Sequence, residues 1–145
     1  MRRYFKHSLF FILPATLLTG CFSALFNSDF DTIMGEYNVG WIADEKSRTI
    51  CKGLNDGDKG GEELFDAYIF SVGYNAKYIV AKQHPYDSIV DLKTTNYFVI
   101  DYSKHPYAKQ DGIYGPMNWE AYQKLNTELS IGEIDFDMNY PEDPN

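Results

Sequence analysis

Cysteine is scarce in this chain, which has only two, Cys21 and Cys51, in 145 residues. If Cys21 carries a lipid, as its context below indicates, Cys51 has no partner for an intramolecular disulfide. A stable domain then depends on burying apolar side chains. Aromatic residues supply that surface, since the chain has 12 Tyr, 10 Phe and 2 Trp and each ring buries about 150–250 Å².

Basic residues are also scarce, with 13 Lys and Arg against 21 Asp and Glu. Three of the basic residues are Arg2, Arg3 and Lys6. From position 21 onward the chain therefore has ten basic and 21 acidic residues, and its net charge is −11. A surface of that sign repels phosphate backbones and anionic lipid headgroups. We therefore expect no nucleic-acid partner, and any membrane attachment has to come from a lipid.

Long apolar runs are absent as well. The longest lies between Leu9 and Leu18 and is interrupted by Pro14, so it is too short to span a bilayer as a helix. Because it follows a cationic start and precedes small residues, it has the order of a secretory signal.

The end of this run, Leu18-Thr19-Gly20-Cys21, resembles the bacterial lipobox. In that motif the cysteine thiol is diacylated and the peptide bond before the cysteine is cleaved. We therefore expect residues 1–20 to be a cleaved signal peptide and Cys21 to be the lipidated N-terminus. The alternative is an ordinary cleaved signal in which Cys21 is incidental.

Lipidation at Cys21 predicts a protein held by its N-terminal lipid on the extracytoplasmic side of a bacterial membrane. A single acyl chain holds a protein only marginally, whereas two or more anchor it stably. Phe22 after the cysteine, where Asp would retain a lipoprotein, is similar to the pattern of lipoproteins sent outward. The sequence thus indicates the outer membrane if the host has one.

The remaining length suffices for one domain with a core, not for two. Residues 22–31 show no helical or strand period, so we expect a lipidated tether over residues 21–35. A single α+β domain is expected over residues 36–138, and a frayed tail over residues 139–145, which contain Pro141 and Pro144.

Strand patterns dominate this domain. Tyr37–Ile42 and Arg48–Lys52 flank a charged turn and predict a hairpin. Three further runs are apolar on both faces, which is typical of central strands covered on both sides; they are Ala67–Val72, Tyr78–Lys82 and Tyr97–Ile100.

One helix is predicted after these strands. Asn118 is a suitable N-cap for a helix from Trp119 to about Leu129. Its apolar side chains fall on one stripe, at Tyr122, Leu125 and Leu129. We expect an α+β fold in which an antiparallel sheet of about five strands packs against one C-terminal helix.

The central pattern resembles an uncharacterised family of short bacterial lipoproteins that carry a domain of unknown function. The segments that carry the resemblance are Val72–Asn75, Tyr78–Pro85, Asn96–Asp101 and Gly115–Glu120. The resemblance covers about residues 35–131. It implies an envelope protein and brings no activity, substrate or catalytic residue.

Two His-Pro-Tyr tripeptides, at His84 and His105, each follow a central strand. They suggest either a two-histidine metal site or simple strand-ending turns, because proline has no N–H to donate. If the flanking strands are antiparallel neighbours, the two histidines lie at opposite ends of the sheet. We therefore favour the turns and expect no metal site.

The other residues that could be reactive or bind a metal are also better explained by structural roles. Cys51 lacks a CxxC partner and is expected to be buried. The loop Asn55–Asp58, with Glu62 and Glu63, could bind calcium but lacks EF-hand spacing, so a solvated acidic loop is favoured. The chain has no Gly-x-Ser-x-Gly, phosphate-binding glycine loop or His-Glu-x-x-His motif.

Tyrosine is abundant in predicted loops and strand ends, where core packing explains it least. Exposed tyrosine gives amphipathic contact area at low entropic cost. The candidate binding residues are Tyr74, Tyr86, Tyr107 and Tyr114, with Tyr102 in a similar position.

The function that these patterns favour is a non-catalytic binding or interaction module of the envelope. It needs no cofactor and has an unidentified protein or small-molecule partner. The alternative is a small envelope hydrolase or metal-dependent enzyme.

Overall fold

The computed structural model describes residues 27–107 and 110–142. Residues 1–20, the lipobox (Leu18, Thr19, Gly20) and Cys21 therefore lie outside the described residues. The described chain forms eleven strands and one α-helix: β1 (Ser28–Met34), β2 (Tyr37–Ile42), β3 (Thr49–Lys52), β4 (Glu62–Glu63), β5 (Ile69–Tyr74), β6 (Tyr78–Gln83), β7 (Tyr86–Asp87), β8 (Ile89–Val90), β9 (Asn96–Asp101), β10 (Ile113–Met117), α1 (Trp119–Leu129) and β11 (Met138–Asn139).

The strands form two main antiparallel sheets. The first has the order β1-β2-β3-β4 and the second β10-β9-β6-β5-β11, while β7 and β8 form a separate two-stranded ribbon. With the C-terminal helix α1, this confirms the expected α+β class. The prediction of one sheet was incomplete, because the N-terminal hairpin builds a sheet of its own.

The predicted hairpin is β2 and β3, in which Val39 pairs with Ile50. The charged turn between them is a 3-10 helix over Glu45–Ser47, whose N-cap Asp44 accepts a hydrogen bond from the Lys46 backbone N–H.

The first strand, β1, lies inside the segment that we expected to be a tether. It pairs along β2, with Asp29 opposite Trp41 and Asp31 opposite Val39. Of its side chains only Ile33 is buried. A strand that buries one side chain leaves no period in the sequence, which explains why the expected tether of residues 21–35 included it.

The second sheet lies in the middle of the molecule, between the first sheet and the helix. Ile79 and Ala81 of β6 pack with Val39 and Ile50 of the first sheet in one core cluster. Their neighbours Tyr78 and Val80 face the other way and pack, with Val99, against α1. The central strands are therefore covered on both faces, as predicted.

Helix α1 begins where the sequence predicted. The Asn118 side chain accepts a hydrogen bond from the Ala121 backbone N–H, and Tyr122 is buried against the second sheet. The half-buried Leu125 and Leu129 complete its apolar stripe. No helix within the described ranges is long and apolar enough to cross a membrane.

The C-terminal segment is packed as far as residue 142, although the sequence suggested a frayed tail from residue 139. Met138 and Asn139 pair with β5. The Tyr140 hydroxyl lies 2.9 Å from an Asp31 carboxylate oxygen, and the Arg48 guanidinium lies 4.4 Å from the centre of its ring. The prolines at 141 and 144 suggested fraying, but the aromatic ring of Tyr140 holds this segment against the first sheet.

Candidate functional site

A groove of about 820 Å³ opens on the side of the second sheet that faces the first core cluster. Its walls are the β7–β8 ribbon and the segment Glu63–Asp66, and β9 and β10 lie beneath it. This volume is within the range of about 300–1,000 Å³ that is typical of ligand sites. We refer to this cavity as the groove.

The floor of the groove is apolar. Phe65 and Phe98 are both buried, and their ring centres lie 4.3 Å apart. Leu64 and the half-buried Ile113 extend this surface. Gly115 allows β10 to pass close to the floor, because a Cβ there would lie 2.8 Å from Cδ1 of Phe98 and the residue has a φ of +120°.

The rim of the groove is acidic. Four carboxylates line it, from Glu63, Asp66, Asp87 and Asp91. Asp91 is engaged within its own loop, where it accepts hydrogen bonds from the Thr94 hydroxyl and the Lys93 backbone N–H. The other three carboxylates have no hydrogen-bond or ion-pair partner in the described part of the chain, and no described lining residue is Lys, Arg or His.

A buried amide fixes one end of the groove. The Gln83 side-chain amide donates to the carbonyl oxygens of Asp66, at 2.8 Å, and Ala67, at 2.9 Å. Its own oxygen accepts from the Asn96 amide at 3.2 Å. These bonds join the segment at Asp66 to β6 and β9, so this side of the rim is held in place by the central sheet.

The ribbon presents apolar surface beside this rim. Ile89 is 80% exposed and Tyr86 is 44% exposed, and both line the groove. A smaller cavity of about 280 Å³ adjoins the groove at Tyr86 and Ile89, which line both, and is also lined by Tyr68 and Leu92. Large exposed apolar side chains next to a cavity are typical of a binding surface.

The structure does not bring the candidate tyrosines together. Of the four, only Tyr86 lines the groove. Tyr107 lies over the Lys52 ammonium group, Tyr114 packs in the cluster next to α1, and Tyr74 is exposed at the end of β5. Tyr102, the fifth loop tyrosine, packs against Tyr37 with ring centres 5.7 Å apart.

The sequence did not predict that the floor and rim residues come together as a groove. Phe98 and Ile113 had strand-like neighbours, and the acidic residues Asp66 and Asp87 looked like ordinary loop charges. Only the long-range pairing of β9 with β10 and β6 would have indicated that these residues lie together.

A second polar cluster surrounds Lys52, which is buried. Its ammonium group donates to the carbonyl oxygen of His105, lies 3.7 Å from the Glu36 carboxylate and lies 3.8 Å from the centre of the Tyr107 ring. Nδ1 of His105 is 2.8 Å from the same carboxylate oxygen of Glu36.

Glu36 has a lowered pKa in this cluster. Burial by itself raises its pKa, but the hydrogen bond with His105 and the positive charges of His105 and Lys52 outweigh that effect. The cluster therefore joins the first sheet to the loop after β9 through a shared negative charge.

The two histidines lie at opposite ends of the second sheet. β6 and β9 are antiparallel, with Tyr78 opposite Asp101, so His84 and His105 follow opposite ends of the pair. His84 is buried, stacks on Phe70 at 4.2 Å and contacts the carbonyl of Thr94. Nor do the described residues contain a group of three or more His, Cys, Asp or Glu placed to hold a metal.

Cys51 is buried in the first sheet, as the sequence predicted. Burial, followed by the nearby charge of Glu63, raises the pKa of its thiol to about 11. The acidic loop after β3 is closed by its own side chains, since the Asp58 carboxylate accepts from the backbone N–H and the side-chain amide of Asn55. Both arrangements suit structural roles.

Comparison with known proteins identifies the family without a function. The family model described as "Protein of unknown function (DUF3997)" matches residues 34–140, so the chain belongs to this family. No curated protein matches the chain, and no solved structure does.

Proposed function

We propose that this DUF3997 protein is a lipid-anchored protein of the bacterial cell envelope whose groove binds a ligand without catalysing a reaction. The single observation that carries the binding role is the groove itself. It combines a buried aromatic floor, an acidic rim and the exposed side chains of Tyr86 and Ile89. Such a mixture of apolar surface and a few polar groups is typical of binding sites.

The proposed anchor is the lipidated Cys21, supported by the preceding Leu18-Thr19-Gly20 and the cationic start of the chain. This anchor would hold the domain on the extracytoplasmic side of the membrane, and of the outer membrane where the host has one. The lipid provides the attachment, because a protein surface of net charge −11 is repelled by anionic headgroups.

The composition of the groove supports binding over catalysis. Its described lining residues include no Ser, Cys, Thr or His that could serve as a nucleophile or as a base near neutral pH. The carboxylates of Asp66 and Asp87 are exposed at the rim, whereas a carboxylic acid that donates a proton at neutral pH is usually buried in apolar surroundings.

The anchor is tested by labelling cells with a palmitate analogue. A Cys21→Ser variant should remain uncleaved and unlabelled, whereas the matched Cys51→Ser variant should be cleaved and labelled like the native protein. Labelling of the Cys21→Ser variant would contradict lipidation at this position.

The groove is tested by screening small neutral and charged fragments with amide chemical-shift mapping. We expect bound fragments to shift the resonances of Phe98 and Ile113. An Ile113→Trp variant, which fills the groove, should lose this binding, while Gln123→Trp on the exposed side of α1 should keep it. Fragments that bind elsewhere, or whose binding is unchanged in the Ile113→Trp variant, would contradict the proposed site.

A further inference from the structure

We infer that the ligand of the groove is a short peptide segment that carries a positive charge next to an apolar side chain. This inference rests on the proposed function, since it names the class of ligand that the groove takes. It follows from the charge of the rim, from the apolar floor, and from the way in which the same protein holds its own cations.

The rim carries negative charge that no described residue balances. Glu63, Asp66 and Asp87 surround the groove with no partner among the described residues. All three are exposed at the rim, next to the apolar floor. An ammonium or guanidinium group would satisfy these carboxylates, whereas an anion would be repelled by all three.

The protein holds two of its own buried cations with one shared arrangement. Lys52 lies 3.7 Å from the Glu36 carboxylate and 3.8 Å from the centre of the Tyr107 ring. Arg48 lies 3.6 Å from Glu45 and 4.4 Å from the centre of the Tyr140 ring. In both sites a carboxylate balances the charge and a tyrosine ring supplies a cation–π contact.

The groove contains the same two components, and none of its described lining residues is a cation. The Tyr86 ring is partly exposed at the edge of the groove, and Asp87 directly follows Tyr86 on the ribbon. Opposite them the wall carries Glu63 and Asp66. A basic side chain of a ligand would here meet the same two kinds of group, a carboxylate and a tyrosine ring, that Lys52 and Arg48 contact within the domain.

The size and floor of the groove favour a peptide over a lone cation. A volume of about 820 Å³ exceeds the needs of one basic side chain. The buried rings of Phe65 and Phe98 and the exposed Ile89 offer contacts for an apolar neighbour. A second copy of this chain is a poor occupant, because its net charge of −11 is of the same sign as the rim.

The test uses calorimetric titration of the full-length mature protein in a neutral detergent with three matched peptides. These are acetyl-Lys-Phe-Lys-amide, acetyl-Gln-Phe-Gln-amide and acetyl-Glu-Phe-Glu-amide. We expect the cationic peptide to bind at least about tenfold more tightly than the neutral one and the acidic peptide not to bind. The preference should weaken as salt rises, because exposed charges are screened.

Matched double variants locate the charge effect. Asp66→Asn with Asp87→Asn should abolish the preference for the cationic peptide. Asp135→Asn with Asp137→Asn changes the net charge equally, but its residues are exposed next to the half-buried Ile134 and Phe136 of the helix-side cluster, so the preference should survive.

Three results would overturn the inference. If the neutral and cationic peptides bind equally well and Ile113→Trp abolishes the binding of both, the groove remains a binding site and only the cationic nature of the ligand is refuted. A linear triamine that binds as tightly as the cationic peptide would refute the need for an apolar side chain in the ligand. If neither the peptides nor the fragments bind in the groove, both the inference and the proposed function fail.

Discussion

Lys52 and Arg48 are buried, although long basic side chains are rarely buried without partners. Arg48 immediately precedes β3 and Lys52 is its last residue, and each has a carboxylate and a tyrosine ring within reach. Such pairs do not by themselves make a fold stable, but removing one partner leaves a buried charge uncompensated. These residues are therefore sensitive points of the domain.

Glu36→Gln should destabilise the domain by about 1–3 kcal/mol near neutral pH, because Lys52 and His105 both lose a charged partner. Glu133→Gln is the matched control, since that carboxylate is exposed and has no partner among the described residues. Urea unfolding of both variants measures the difference. An equal effect in the two variants would contradict a stabilising role for Glu36.

The effect of Glu36 should also depend on pH in the acid range. Its pKa in the folded protein lies below the ordinary value of 4.5, so the folded state favours the ionised carboxylate. The stabilisation is present above the unfolded pKa and is lost as the pH falls through the folded pKa. The difference in unfolding free energy between the native protein and Glu36→Gln should therefore shrink between pH 5 and pH 3, and a constant difference would contradict this account.

The elements that the sequence predicted are those with short-range signals. The β2–β3 hairpin and helix α1 depend on neighbouring residues, such as the Asp44 and Asn118 caps. β1 was missed because it is an edge strand that buries only Ile33. The packed segment at Tyr140 was missed because its partner Asp31 is 109 residues away.

The groove could not be predicted for the same physical reason. Its lining residues come from separate segments between Glu63 and Pro116, and only the pairing of the second sheet assembles them. Single tyrosines in predicted loops were a weak guide, since Tyr86 reached the groove whereas Tyr107 instead covers Lys52.

The central strands of the second sheet should dominate its stability. Ile79, Val80, Phe98 and Ile100 are all buried, and truncating any one of them to Ala should cost about 2–5 kcal/mol. Ile42→Ala, at a side chain that is 55% exposed, should change stability by less than about 0.5 kcal/mol. Thermal or urea unfolding measures these values, and a loss below about 0.5 kcal/mol at both Phe98 and Ile100 would contradict the assigned core.

At the scale of the whole molecule, β1 limits how far the domain can lie from the proposed anchor. Only the chain from Cys21 to Ser28 separates the proposed lipidation site from the first strand, which allows about 25 Å at full extension. The start of β1 pairs with Ile42 of the first sheet. Helix α1 packs on the far face of the second sheet, so the first sheet should lie nearer to the membrane.

This orientation can be measured by energy transfer to an acceptor on lipid headgroups. In a Cys51→Ser background, a donor dye at Ile42→Cys should transfer more efficiently than the same dye at Gln123→Cys on α1. Equal transfer from both positions would show that the short connection does not orient the domain.

The central claim is that the groove is where this domain meets its ligand, and photo-crosslinking in intact cells tests it most directly. A photoreactive residue in place of Ile89, beside the groove, should give a discrete adduct that Ile113→Trp removes, whereas the same group at Gln123 should give none. An adduct from Ile89 that survives Ile113→Trp, or an equal adduct from Gln123, would contradict the account.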